Sequence, residues 1–444
     1  MSGQVPAEHN PGEIRLGSGT ALTLIAQGVT MASNVLIGIL IARTLGATGK
    51  GVLSVVQQIV GIALLIANLG ISTSNIYYIS RKEIRPGVAT GNLLVLCAAI
   101  TLIAAVPIVG LLSGPVAVLP IIRPHLVLIA LAAFSSGLLL SWFGSVVVGL
   151  RGLRPQAVAS ILSALTSLAL VVVVLRTVSL SVAGVMLAGV GGTLVGLGTM
   201  AWWARGRIGR ISVDLQAMRA TARHSLRVHL SGLSDYLHLR QDILLLGWLA
   251  GASAVGYYSV GVSFAELAWY IPNAVGLAIQ AQGARVSHES ARDFAARSLR
   301  ISVLITAAVS LVLAATVPWL LPALFGEPFA RSVPIFFLLL PGAAFNGLTA
   351  VMLYYQISRG TVYWRISLAV TVLNLVGVLL LVPRWGAHGA AIASSLSYAA
   401  YFVWILSRVT RDAEMGVVEL LVPTGSDVRI LGRTVADFMR LRRA

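Results

Sequence analysis

The feature that most constrains this chain is a series of long apolar runs that are almost free of charged residues. An α-helix needs about 20 consecutive apolar residues to cross the hydrocarbon core of a bilayer, so the runs predict an all-α polytopic membrane protein with about 12 transmembrane helices. The runs lie at about residues 21–43, 52–71, 89–112, 126–149, 155–175, 180–203, 228–249, 257–281, 300–321, 333–355, 363–383 and 389–409.

The composition excludes most other classes of protein. Hydrophobic residues make up 57% of the 444 residues and charged residues only 11%, whereas a soluble domain is about 45–50% apolar and about 25% charged. The net charge of +17 would suggest a nucleic-acid partner in a soluble protein. In a membrane protein the placement of basic residues carries more information than their number, and we expect no nucleic-acid partner.

The basic residues predict the orientation of the chain, because Lys and Arg concentrate in the cytoplasmic loops of membrane proteins. With the N-terminus placed inside, 25 of the 32 Lys and Arg residues fall in cytoplasmic segments and 6 in outer loops, while Arg240 lies within a run. Both termini are therefore expected in the cytoplasm. Two basic segments, 205–227 and 428–443, mix apolar and Arg positions. They predict either helices lying on anionic membrane lipids or solvated segments.

An internal repeat divides the chain into two halves. Residues 46–55 resemble residues 251–260, at an offset of 205, and each segment follows the first run of its half. Because each half has an even number of helices, the two halves are parallel, as in transporters that bind substrate between their repeats. The predicted organisation is a cytoplasmic segment 1–16, a six-helix half 17–204, a basic cytoplasmic linker 205–227, a six-helix half 228–410 and a basic cytoplasmic tail 411–444.

Charged residues inside the runs are rare and concentrate in the second half. Asp235, Arg240 and Asp242 lie in the seventh run, and Glu266 lies in the eighth. A charge at the centre of a transmembrane helix costs about 2.5–3.5 kcal/mol, so such a group indicates either function or mutual pairing. Asp235 and Asp242 share one helix face, whereas Arg240 points elsewhere, beside Tyr236. Glu266 is therefore the expected partner of Arg240.

Two interpretations of these charges stay open. In the structural one, they are buried pairs that fix the packing of the second half. In the functional one, Arg240 binds an anionic headgroup, together with Tyr236 and with Asn34 of the first run; Asn34 alternatively bonds to a neighbouring helix. Three carboxylates then exchange H⁺ or Na⁺ as the coupling ion: Asp235, Asp242 and Glu266.

The remaining motifs indicate transport rather than catalysis. Pro272 and Asn273 predict a kink in the eighth helix, which serves either as a gate or for packing. Residues 46–51 lack the spacing of a phosphate loop and the Ser or Thr after Lys50, and His288 has no second His at metalloprotease spacing. We therefore predict no catalytic residue, no metal site and no cofactor other than a coupling ion.

Four segments carry a family signature: IARTLGATGKGVLSVVQ, LRQDILLLGWLAGASAVGYYSVGVSFAELAWYIPNA, FGEPFARSVPIFFLLLPG and VPRWGAHGAAIASSLSY. They resemble the polysaccharide-unit flippases of the multidrug/oligosaccharidyl-lipid/polysaccharide (MOP) exporter superfamily. The resemblance implies outward movement of an undecaprenyl-diphosphate-linked oligosaccharide across the plasma membrane for polysaccharide export. It also implies that Arg240 and Asp242 form the charged element of that family, and that a polysaccharide polymerase and glycosyltransferases are partners.

Three other functions are alternatives. A cation-coupled multidrug exporter has the same fold, but an Arg in the seventh helix favours an anionic headgroup over a cationic drug. A lipid II flippase is similar too, although such proteins usually have two additional helices. A membrane glycosyltransferase or ligase needs a large outer loop with catalytic acids or bases, and Glu327 is the only acid predicted in an outer loop.

Overall fold

The computed structural model describes residues 18–113, 124–177, 181–283, 288–358 and 363–429. Within these residues, nine candidate spans are long and apolar enough to cross a membrane. The helices are α1 (Ser18–Asn68), α2 (Ile71–Ser80), α3 (Pro86–Ser113), α4 (Pro124–Arg151), α5 (Leu153–Thr177), α6 (Val182–Ala204), α7 (Leu215–Ala265), α8 (Leu267–Gly283), α9 (His288–Phe325), α10 (Ser332–Ser358), α11 (Trp364–Ala413) and α12 (Val417–Leu421), with a 3₁₀ turn at Glu327–Arg331 before α10.

Three of the long helices are interrupted by a glycine with a non-helical backbone. Gly46 in α1, Gly251 in α7 and Gly386 in α11 have φ angles of 64°, 80° and 53°. Glycine adopts this left-handed region without the steric penalty that a Cβ imposes. Gly46 and Gly251 are related by the offset of 205 found in the sequence, so the repeat marks the same hinge in both halves.

Contacts across two of the hinges show that the chain turns back on itself. Tyr258 donates a hydrogen bond to Asp242 within α7, although a straight helix would place the two residues about 24 Å apart. A Cβ added to Gly377 would lie 3.1 Å from the Cβ of Ala393 within α11. The limbs on either side of each hinge are therefore separate crossings. With α2 and α8 continuing the second limbs of α1 and α7, the described helices form the twelve segments that the sequence predicts.

The helices pack as two bundles. Helices α1 to α6 pack mainly on one another, as do α7 to α11, and the bundles meet most extensively where α1 packs on α7. The polar residues discussed below lie on α7 and its neighbours in the second bundle. The interface of α1 with α7 therefore brings those residues close to the first bundle.

The connection between the bundles differs from the sequence prediction. Helix α7 begins at Leu215, not near residue 228, because Asp214 caps it by accepting hydrogen bonds from the backbone N–H groups of Gln216 and Ala217. Asp214 is itself tied to α3, since Asn92 donates to its carbonyl oxygen at 3.0 Å and accepts from its N–H at 2.9 Å. Residues 205–214 are not helical, so the prediction of a surface helix is wrong for this part of the segment 205–227. Residues 215–227 are helical, but they form the beginning of α7.

The segment that follows α11 folds back onto α9. Arg300 of α9 donates from Nε to Asp427 Oδ2 and from Nη1 to the carbonyl oxygen of Glu419, both at 2.8 Å. Leu420 is buried in an apolar cluster contributed by the ends of α9, α10 and α11. The part of the tail up to residue 429 is therefore docked on the second bundle. Residues 1–17 and 430–444, which include most of the predicted basic segment 428–443, lie outside the described residues.

Candidate functional site

The hinge at Gly251 places a buried carboxylate at the centre of the second bundle. Asp242 is 3% exposed, and its Oδ2 accepts hydrogen bonds from Tyr258 Oη and, at 3.0 Å, from Ser394 Oγ. Its Oδ1 accepts a bond of 2.8 Å from the backbone N–H of Ile243. Three crossings thus contribute polar groups to Asp242, and both of its oxygens are satisfied.

The polar network continues to a fourth crossing. Asn374 of α11 is fully buried and donates to Ser394 Oγ at 3.3 Å and to Ser397 Oγ at 3.2 Å. Its Oδ1 accepts a bond of 3.0 Å from Gln241 Nε2, which also donates to the carbonyl oxygen of Thr371. The network therefore collects hydroxyl, amide and carboxylate groups from α7 and α11, and all of its members except Gln241 are buried.

Sequence reasoning missed five members of this network. Asn374, Ser394 and Ser397 are polar residues within apolar runs, Tyr258 lies in the GYYS part of the family signature, and Gln241 stands between Arg240 and Asp242. A polar side chain in an apolar run is itself a signal of interhelical bonding or of a transport pathway. That signal could have selected these residues, but it could not have shown that they meet at Asp242.

Arg240 and Glu266 form the contact that the sequence predicts. Nη1 of Arg240 lies 2.8 Å from Glu266 Oε1, and Nη2 lies 3.2 Å from Oε2, so the pair is bidentate. The Arg240 side chain is 26% exposed and that of Glu266 is 14% exposed. The pair therefore borders an accessible space, whereas Asp242, two residues further along α7, does not.

Tyr236, one turn before Arg240, connects the two bundles. Its hydroxyl accepts a hydrogen bond of 3.2 Å from Gln58 Nε2 of α1. A Cβ added to Gly61 would lie 2.7 Å from the same hydroxyl oxygen. Tyr236 thus places the Arg240 side of α7 directly against the first bundle.

The other predicted site residues lie apart from this group. Asn34 is exposed on α1 and does not contact Arg240 in the part of the chain that the structure describes. Asp235 belongs to α7, but its side chain lies outside the described residues.

The break in the eighth crossing falls at Glu266, between α7 and α8, and not at Pro272 or Asn273, where the helix is continuous. Pro272 is buried, and a Cβ added to Gly347 of α10 would lie 3.2 Å from its ring. The role of Pro272 and Asn273 as a kink or gate stays a prediction, and the interruption at Glu266 places the carboxylate that holds Arg240.

Comparisons with known proteins identify the family and the fold of this chain. The model of a family described as "Polysaccharide biosynthesis protein" matches residues 16–281, and a comparison with curated proteins finds no match. The chain superposes on the lipid II flippase MurJ, in an inward closed conformation, with a TM-score of 0.73 and 11% identity, covering 88% of this chain and 87% of that one.

The fold also matches multidrug resistance MATE family transporters of the MOP superfamily. An inward-facing conformation gives a TM-score of 0.64 at 17% identity, covering 88% of this chain and 98% of that one. An outward-facing conformation gives a TM-score of 0.55 at 16% identity, covering 89% and 95%. At these identities the likeness concerns the fold alone.

Proposed function

We propose that this chain, which belongs to the polysaccharide biosynthesis protein family, flips a lipid-linked oligosaccharide across the plasma membrane. The lipid carrier is undecaprenyl diphosphate, and the two six-helix halves rock against each other so that a site between them opens alternately to either side. The protein acts as a transporter and not as an enzyme. Its fold, which is that of multi-pass membrane transporters, supports this proposal.

The observation that carries the proposal is the partly exposed Arg240 beside the interface between the halves. A diphosphate carries negative charge on several oxygens, and a guanidinium binds such groups with two parallel hydrogen bonds. Tyr236 lies one turn away and adds a hydroxyl at the same interface. Asn34, on the accessible face of α1, is assigned a contact with the oligosaccharide or headgroup when the substrate is bound.

Glu266 gives this site a means of binding and release. In the structure its carboxylate occupies both Nη groups of Arg240, which is the position that a diphosphate takes up. When the headgroup replaces it, Glu266 loses its counter-charge in a partly buried position and its protonated form is favoured. Proton loss then restores the Arg240–Glu266 pair and expels the headgroup.

The Asp242 network is the second part of the proposal, as the site of the coupling ion. A carboxylate that accepts hydrogen bonds from the hydroxyls of Tyr258 and Ser394 can take up a proton, or hold Na⁺ because hard cations prefer oxygen ligands. The chain has no nucleotide-binding motif, so we assign the direction of transport to this ion. Asp235 is assigned a role on the ion's path along α7.

The partners of the protein follow from its proposed substrate and charge. Glycosyltransferases supply the lipid-linked oligosaccharide, and a polysaccharide polymerase consumes it on the outer side. Anionic lipids bind Arg205, Arg207 and Arg210, which are exposed next to Trp202 at the end of α6. Arg205 lies over the Trp202 ring at 5.0 Å, an arrangement suited to a membrane interface.

The test is a flipping assay in proteoliposomes with a fluorescent oligosaccharide on undecaprenyl diphosphate. The wild type should move the lipid between leaflets, and Arg240→Gln should reduce the rate to that of empty liposomes. Arg81→Gln, a change of an exposed arginine outside the site, should keep the wild-type rate. An Arg240→Gln protein that is folded and still flips the lipid at full rate would contradict the proposal.

The same proteoliposomes separate the alternatives. Lipid II replaces the oligosaccharide lipid in one experiment, since the chain shares its fold with a lipid II flippase. A fluorescent organic cation replaces it in another, since the chain also shares the fold of multidrug transporters. Faster movement of lipid II or of the cation than of the oligosaccharide lipid would assign the protein to that substrate instead.

A further inference from the structure

The two hinge segments meet each other at one end of the interface between the halves. Just after the Gly46 hinge, a Cβ added to Gly51 would overlap the carbonyl oxygen of Ala252. Just after the Gly251 hinge, a Cβ added to Gly256 would overlap the carbonyl oxygen of Ala47. Both crossings can therefore be this close only because glycine has no side chain at the contact point.

The two contacts are related by the internal repeat. Gly51 and Gly256 are 205 positions apart, as are Ala47 and Ala252. Gly51 contacts Ala252, four positions before Gly256, and Gly256 contacts Ala47, four positions before Gly51. This is the reciprocal pattern of an interface on a twofold axis. The offset was read from the sequence and the contacts from the structure, so two separate observations support a symmetric junction.

An arginine of the first half also bonds to the second half close to this junction. Arg43, three residues before the Gly46 hinge, donates from Nε to the carbonyl oxygen of Leu324 at 2.7 Å and from Nη2 to that of Ala323 at 2.5 Å. These carbonyls belong to the last turn of α9, where backbone acceptors lack helical partners and the helix dipole favours a positive charge. Arg43 thus ties α1 to the C-terminal end of α9.

The junction lies at a distance from the proposed headgroup site. Arg240 is eleven positions before Gly251 in α7, which corresponds to about 16 Å along a helix. The bond between Gln58 and Tyr236 lies farther still from the hinge, because Tyr236 is one turn before Arg240 in α7. The junction therefore closes the end of the interface at the hinges, while the site itself lies deeper between the halves.

We propose that Gly51, Gly256 and Arg43 form a latch that holds the hinge end of the transport pathway closed, and that this latch separates when the protein opens to that side. The proposal deepens the transport function proposed above, because it names the contact that decides which side the site faces. The latch depends on shape at the glycines, where any side chain forces the carbonyls apart. At Arg43 it depends on charge and hydrogen bonding.

The test measures the opening directly and does not depend on transport. Spin labels are attached to Thr48→Cys and Ser253→Cys, two exposed and repeat-equivalent positions next to the glycines, in a protein whose native cysteine is removed by Cys97→Ala. Pulsed electron–electron resonance on the purified protein in lipid nanodiscs then gives the distance distribution across the junction. The wild type should show a dominant short distance.

Gly51→Ala and Gly256→Ala should each raise the ratio of the long-distance to the short-distance population by about tenfold, since overpacking displaces the opposing backbone. Gly38→Ala is the matched control, because a Cβ there meets no atom within 4 Å; it should leave the distribution unchanged. A folded Gly51→Ala protein with the wild-type distribution would overturn the proposal.

Arg43→Gln keeps the latch testable if the glycine variants do not fold, because Arg43 is exposed. It should shift the population in the same direction by a smaller factor, whereas Arg384→Gln, another exposed arginine, should not. A shifted distribution in a protein that flips none of the lipids tested would contradict the proposed function and support the latch. Flipping of the oligosaccharide lipid with unshifted distributions in Gly51→Ala and Arg43→Gln would support the function and contradict the latch.

Discussion

Arg300 and Arg240 each form a salt bridge of 2.8 Å with a carboxylate, but the surroundings of the two pairs differ. The partner of Arg300, Asp427, is fully buried and also accepts hydrogen bonds from the backbone N–H and the hydroxyl of Thr424. Arg300 makes a second bond to a backbone carbonyl in the tail. This pair is one part of a dense set of bonds that docks the tail on α9.

The Arg240–Glu266 pair has no comparable set of supporting bonds. The two side chains are joined to each other through both Nη groups, and a quarter of the Arg240 side chain is exposed. A pair with one accessible member can exchange its partner for a ligand, whereas a pair whose carboxylate is fully buried and also bonded to Thr424 stabilises one conformation. The proposed function requires this difference: a structural pair at the tail, and a pair at Arg240 that a ligand can open.

The largest expected effect is at the tail pair. Asp427→Ala should lower the free energy of unfolding by about 3–4 kcal/mol, because it leaves a mostly buried guanidinium without its counter-charge. Thermal unfolding of the detergent-solubilised protein, followed by fluorescence, measures this change. Glu419→Ala is the matched control, since Arg300 bonds to the backbone of Glu419 and not to its exposed side chain. If Asp427→Ala and Glu419→Ala unfolded at the same temperature, the Arg300–Asp427 pair would have no special structural role.

A smaller effect on stability, and a clear one on binding, is expected at Arg240. Arg240→Gln should weaken diphosphate-lipid binding by about 30-fold, corresponding to about 2 kcal/mol for a lost charge contact. The charge exchange Arg240→Glu with Glu266→Arg should restore the unfolding temperature without restoring lipid binding. Microscale thermophoresis with the short-chain lipid, beside thermal unfolding, measures both quantities. Restored lipid binding in the exchanged protein would show that the pair only maintains packing.

The tail pair also predicts a pH dependence. Burial by itself raises the pKa of Asp427, but hydrogen bonds from Arg300 and Thr424 outweigh it and lower the pKa from 3.8 to about 2. Because the pKa is lower in the folded state, the stabilisation is complete above pH 4 and is lost as the pH falls towards 2. The stability difference between the wild type and Asp427→Asn, measured by unfolding at several pH values, should therefore shrink over this range. A constant difference would contradict this assignment.

The smallest effect is expected for the exposed pair of Arg81 and Glu83. Its shortest N–O distance is 3.6 Å, and the side chains are 59% and 46% exposed. Exposed pairs contribute about 0–1 kcal/mol, so Arg81→Ala should change the unfolding temperature little. The small change in this variant is the reference for the changes measured at the Arg300–Asp427 and Arg240–Glu266 pairs. A destabilisation as large as that of Asp427→Ala would show that burial does not explain their difference.

Several parts of the site could be predicted from the sequence. Hydropathy identified the crossings, the rarity of charge within them selected Arg240, Asp242 and Glu266, and helix geometry chose Glu266 as the partner of Arg240. The helix is interrupted at Glu266, six residues before Pro272. Proline disturbs a helix because it lacks the N–H that bonds to residue i−4, but the sequence does not show at which residue the interruption falls.

The sequence by itself determined the number of crossings and the chemical types of the buried charges, because burial in a membrane acts on each residue through its own polarity. Only the tertiary structure decided that Ser394, 152 positions from Asp242, donates to its carboxylate. The same holds for the bonds of Arg43 to α9 and of the tail to Arg300. A hydrogen bond needs atoms about 3 Å apart in a favourable direction, and the packing of distant helices sets that distance.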